Sequence, residues 1–145
     1  MALTVKKITL WRCEVANRPG ALANTLDPIT KAGADLQVLM GYRFPGNESR
    51  AAIELFPVSG KKASSAASAA GLKPSAIPAL LVEGDNKPGV AYAIARGLAD
   101  AGINLDFLVA QAIGRRYVAT CGFESEQDAT KAAGVIKKAG GTKKK

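Results

Sequence analysis

The spacing of apolar positions changes in a regular order along this chain, and the same order runs twice. Residues 6–15 alternate apolar and polar side chains and are rich in β-branched and aromatic types, which predicts a strand. Leu22, Leu26, Ile29 and Ala32 then recur every three or four positions, the spacing of a helix with one buried face. Gly33 is placed to end that helix in a left-handed conformation. Pro28 falls inside it and marks a point where the helix is expected to kink or break. Residues 35–43 and 51–58 read as strands, joined antiparallel through the turn-rich stretch 44–47. Ser59 is placed to cap a short helix over 61–70, and residues 72–77 suit a short final strand.

The second half repeats this order. Residues 79–83 read as a strand, and 89–101 as a helix with Ala91, Ile94, Ala95 and Leu98 on one face. Residues 103–112 and 117–124 read as strands joined by a tight turn at Gly114-Arg115. Ser125-Glu126-Gln127-Asp128 resembles a capping box opening a helix to residue 139. Each half is thus strand-helix-strand-strand-helix, which predicts an α+β fold with helices on one face of an antiparallel sheet, of ferredoxin-like βαββαβ type. The expected division is 1–73 and 74–145. The second half has no sixth element of its own, so its sheet must borrow an edge or leave one open. An open edge invites pairing and hence an oligomer.

The repeat is also literal. Asn17-Arg18-Pro19-Gly20 returns 69 positions later as Asn86-Lys87-Pro88-Gly89, and Asp35 aligns with Asn104. A repeat of this length is one small domain copied. Units of about seventy residues bury too little surface to be stable alone, so they are expected to pack on each other or on a second copy of the chain.

Composition removes several classes of function. There is no histidine among the 145 residues, which excludes a Ser-His-Asp or Cys-His centre and any histidine-ligated metal. Carboxylates are scattered without an acid/base pair, so no catalytic residue and no cofactor is assigned. Cys13 and Cys121 have no metal-type or redox-type spacing and read as small apolar residues inside strands. No apolar run reaches the roughly 20 residues that span a bilayer, and the N-terminus lacks a signal-peptide pattern, so a cytoplasmic protein is expected. The net charge of +8 hints at nucleic acid, but five lysines fall in the last nine residues. Without those nine the balance is 15 basic against 12 acidic, or +3, and the basic tail reads as a solvated, disordered end.

The repeated turn carries the candidate chemistry. A strand end followed by Asn-basic-Pro-Gly and a helix presents unpaired N–H groups and a partial positive charge, which favour an anion such as a carboxylate. Proline suits the first helical position and the asparagine before it is placed to cap the helix. Glycine lets a ligand approach the backbone. Asp35 and Asn104 are expected to lie at the same sheet edge as Asn17 and Asn86, so that each pair converges on one small polar molecule. The same residue types also serve as ordinary capping chemistry with no ligand.

Asn-x-Pro-Gly, a helix, and then Gly-x-Asn, as in Asn86 to Gly89 followed by Gly102-Ile103-Asn104, resembles the ACT domain, a small-molecule-sensing module. The resemblance covers nearly the whole chain as two units and implies a stand-alone allosteric regulator without enzymatic activity. It implies an amino acid or similar metabolite bound where ACT units meet, a homodimer, and an enzyme as regulated partner. It also implies that Asn86 and Asn104 contact the ligand, with the backbone of Gly89 and Val90 at its carboxylate and Lys87, Pro88 and Ile103 alongside. The corresponding first-half set is Asn17, Arg18, Gly20, Ala21 and Asp35. The first half departs from the pattern, since an acidic Asp35 would repel a nearby carboxylate. The histidine that some serine-binding members carry two positions before the turn asparagine is absent: Val15 and Gly84 stand there.

Two other readings start from the same residues. A degenerate ACT pair would act as a protein-interaction module, with Arg43, Arg50, Arg115 and Arg116 on its hairpins. An RNA-recognition motif has the same element order, but it stacks bases on aromatics of its central strands. Here the first strands offer Trp11 in one half and no aromatic in residues 80–83. The third strands offer Phe56, and Tyr117 with Phe123, without the Gly-Phe-rich signature.

Overall fold

A computed structural model describes residues 3–141; the last three lysines of the tail, and with them the expectation of a disordered end, lie outside those residues. Eight strands and four helices follow in the order β1 (Leu3–Ile8), β2 (Trp11–Ala16), α1 (Ala21–Lys31), β3 (Val38–Phe44), β4 (Asn47–Phe56), α2 (Lys61–Ala69), β5 (Lys73–Pro74), β6 (Ala79–Asp85), α3 (Val90–Asp100), β7 (Leu105–Ile113), β8 (Arg116–Phe123) and α4 (Glu126–Gly141). They form two compact units. One runs from Thr9 to Ala76, with the antiparallel sheet β3-β4-β2-β5; the other holds the antiparallel sheet β7-β8-β6-β1.

The predicted strand over 6–15 is therefore two strands, broken at Thr9-Leu10, and they belong to different sheets. Leu10 is fully buried, and its carbonyl accepts the Ser75 N–H at 2.7 Å. β1 supplies the edge that the second half lacks. It pairs with β6 from Leu3↔Gly84 to Ile8↔Ala79, in the place that β5 takes beside β2. Alternation explains the docking: Leu3, Val5 and Ile8 are buried while Thr4, Lys6 and Lys7 are exposed, so one apolar row meets the core. The unit boundaries accordingly fall after Ile8 and after Ala76 rather than as a single cut after residue 73.

Each unit has its own core. Leu80, Val82, Ile94, Leu98, Cys121, Phe123, Ala132 and Ile136 fill the second; Cys13, Ile29, Ile53, Leu55, Ala67 and Leu72 fill the first. The two cysteines are free and buried, one in each core, and burial pushes the Cys121 thiol up to about 12. The predicted helical stripes are narrower than expected. Leu22 of α1 and Ala91 and Ala95 of α3 are exposed, while Thr25, Ile29, Ile94 and Leu98 face the core. α1 continues through Pro28 without a break. Ser125 caps α4 as predicted, its Oγ accepting the Asp128 N–H at 3.1 Å. Ser59 does not cap α2: that position is Gly60, with φ of 85° and no side-chain cap.

Candidate functional site

The two copies of the turn have nearly superimposable backbone hydrogen bonds. In the first, Ala21 N–H donates to the Arg18 carbonyl at 3.2 Å and Asn24 N–H to the Gly20 carbonyl at 2.9 Å. In the second, Val90 N–H donates to Lys87 at 3.2 Å and Ala93 N–H to Gly89 at 2.9 Å. Each turn is pinned to the neighbouring hairpin by its asparagine backbone, Asn17 N–H to Ser49 O at 2.9 Å and Asn86 N–H to Arg115 O at 2.7 Å. Gly20 and Gly89 are left-handed, with φ of 90° and 87°, and each immediately precedes its helix. Only glycine adopts this conformation without a penalty.

This geometry corrects the capping expectation. Pro19 and Pro88 lie one residue before the N-cap rather than at the first helical position, and neither asparagine caps its helix. Neither α1 nor α3 has a side-chain cap or an acidic residue in its first turn. The N–H groups of Leu22 and Ala23, and of Ala91 and Tyr92, lie where a helix offers them no internal acceptor. The anion-favouring end of each helix is thus unneutralised by its own side chains.

Convergence within one unit is also corrected. Asn86 is tied to Arg115, just before β8 begins, whereas Asn104 directly precedes Leu105, which pairs with Phe123 at the far end of β8. Eight residues of strand at about 3.4 Å each separate those ends. The first unit repeats this arrangement. Asn17 is tied to Ser49 near the start of β4, while Asp35 lies beside Gln37, whose N–H donates to Phe56 at the end of β4. The physical reason is the helix itself: α1 and α3 each carry the chain back about 16 Å before the next strand begins.

Asn86, Lys87, Pro88, Gly89 and Val90 line one pocket of about 340 Å³. Its other walls are Gln111 of edge strand β7 and Tyr117 of β8. Asp35 lines a separate pocket of about 460 Å³ with Ser59, Lys61 and Lys62 at the start of α2. Asn104 is exposed, whereas Ile103 is buried and its N–H donates to Leu98 at 2.9 Å, so its side chain belongs to the core. Asn17, Arg18 and Gly20 are exposed, and the Ala21 N–H is already used by Arg18.

Sequence reasoning weighed Tyr117 only as a strand aromatic and did not place it beside the Asn86 turn. It is 4% exposed, stands opposite Gly84, and its Oη has no hydrogen-bond partner among the described residues. Burial raises its phenol above the usual tyrosine range, with Cys121 adding to the shift. In the first unit Val15 stands opposite Ala51, so the repeat gave no signal for a tyrosine there. A buried carboxylate was missed as well. Glu54 is 2% exposed, its Oε2 accepts the Tyr42 hydroxyl at 2.6 Å, and the Arg12 Nε lies 3.8 Å from that oxygen.

Neither the family models nor the curated proteins contain a match to this sequence. Solved structures do match. A protein from Bacteroides thetaiotaomicron aligns over 88% of this chain and 87% of its own at 13% identity, with a TM-score of 0.71. The regulatory subunit of aspartate kinase from Thermus thermophilus aligns over 96% and 97% at 14% identity, with a TM-score of 0.63. The aspartate kinase of Clostridium acetobutylicum aligns over 95% of this chain and 34% of its own at 14% identity, with a TM-score of 0.61. The fold is the ACT fold. Both ACT units place the Asn-x-Pro-Gly turn at the hairpin end of the sheet and the Gly-x-Asp/Asn segment at the other. Among the described residues there is no group of three metal-ligating side chains, and no helix is long and apolar enough to cross a membrane.

Proposed function

We propose that this chain is a regulatory protein, not an enzyme, that binds an amino acid or similar small polar metabolite where ACT units meet and passes the binding event to a partner enzyme. The observation that carries this reading is the duplicated, uncapped helix start behind a left-handed glycine, exposed beside a pocket at Asn86. Two unpaired N–H groups and a helix dipole favour a carboxylate there, and the Lys87 ammonium adds like-signed support. A ligand that also reaches Asn104 requires a second copy of the chain, because the two asparagines stand at opposite ends of one unit. The edge strand β7 supports a homodimer, since Val109 and Ile113 are 52% and 67% exposed. One similar solved structure is a regulatory subunit and another is described as an allosteric enzyme, which fits control of an enzyme.

Regulation requires that the ligand bind two states unequally. The direct test of binding is a thermal-shift screen against the twenty amino acids at millimolar concentration. One amino acid is expected to raise the melting temperature by mass action. The shift is expected to shrink in Asn104→Ala. Absence of a shift with every amino acid would contradict the proposal.

A further inference from the structure

The two turns share a backbone but not a side-chain environment. The Asn17 Nδ2 donates to the Glu48 carbonyl at 2.7 Å. That bond laces the first turn to the β3–β4 hairpin, in addition to the backbone bond to Ser49. Among the described residues no hydrogen bond engages the side chain of Asn86, which is exposed at the rim of the 340 Å³ pocket. The pocket wall at Tyr117 holds a buried hydroxyl without a partner, where the first unit has Ala51 opposite Val15. A buried polar group without a partner is uncommon in a finished fold and calls for a donor or acceptor from outside.

We propose that the duplicated turns have divided their labour: the Asn86 turn receives the ligand, with Tyr117 as the residue that selects it, and the Asn17 turn is a structural tie. This rests on the amino-acid-binding reading and deepens it. The ligand class is a small amino acid whose carboxylate meets the first turn of α3 and whose polar group approaches the Tyr117 hydroxyl beneath. Tyr117 is among the residues that line this pocket, and its oxygen is buried with no hydrogen-bond partner among the described residues. In the first unit the Asn17 side chain is tied to Glu48, and Ala51 stands where the second unit has the phenol.

The test uses the full chain and three variants, Asn17→Ala, Asn86→Ala and Tyr117→Phe, titrated calorimetrically with whichever of the twenty amino acids stabilises the wild type. Affinity is expected to fall about tenfold in Asn86→Ala and severalfold in Tyr117→Phe, and to stay within about twofold in Asn17→Ala. Without ligand, the melting temperature is expected to drop in Asn17→Ala alone, and Tyr117→Phe to be neutral or stabilising. Equal affinity losses at the two asparagines would overturn the division of labour. Unchanged affinity in Tyr117→Phe, beside a loss in Asn86→Ala, would remove Tyr117 from the site while leaving amino-acid binding intact. Should no amino acid bind the wild type, that reading fails and the melting temperatures decide: a drop in Asn17→Ala alone upholds the tie, and equal drops overturn it.

Discussion

Glu54 shows how single residues set the stability of the first unit. Its side chain is 2% exposed near the end of β4, and the Tyr42 hydroxyl donates to it at 2.6 Å. Arg12 stacks at 5.7 Å over Phe44 and bonds Glu14 at 2.9 Å, so its charge is shared among neighbours. Removing the donor from a buried acceptor leaves the desolvation cost uncompensated. Tyr42→Phe is therefore expected to destabilise the protein by about 1–3 kcal/mol in urea unfolding. A change below a few tenths would show that the Tyr42 hydroxyl contributes little and that Arg12 compensates the same oxygen. This cluster was not legible in the sequence, because Glu54 interrupts an apolar run and reads as an outward-facing strand residue. Tyr117 was hidden for the opposite reason: a tyrosine in a strand reads as core. The turn residues were legible, since asparagine, proline and left-handed glycine are punctuation that few other contexts demand.

At the scale of elements, hydrophobic spacing, capping residues and the repeat together identified every helix and every strand longer than two residues, except that the single strand expected over 6–15 is two strands, the first starting at Leu3. That break was invisible locally, because both sides of Thr9-Leu10 have strand composition and only the sheet partners differ. Helix starts were misjudged for a related reason. Proline looked like a first helical residue, but the left-handed glycine after it delays the helix by two positions. The role of β1 gives the element-scale prediction. Deleting residues 1–8 leaves β6 as an edge and uncovers the core beside Val82 and Ile136. Hydrogen exchange is expected to show lost protection along β6 with β3 and β4 unaffected, and the protein is expected to self-associate. Unchanged protection in β6 would mean that β1 adds little to the second unit.

For the whole molecule, duplication with divergence is the organising fact. Two ACT units share sheet order and turn backbone, yet one draws its last edge strand from β5 and the other from the start of the chain. The duplication was legible, since the Asn86 turn and the position of Asn104 stand out in the repeat. Their separation was not, because sequence spacing does not reveal that a helix returns the chain to the opposite end of the sheet. That separation makes the central claim sharply testable by complementation. Asn86→Ala and Asn104→Ala proteins, each purified with weakened amino-acid binding, are mixed, allowed to exchange subunits and titrated calorimetrically. A site shared between two copies predicts that the mixture recovers wild-type affinity at a fraction of the sites, because each mixed dimer rebuilds one intact pair. Recovery of none would contradict the shared site and place the whole ligand within a single copy.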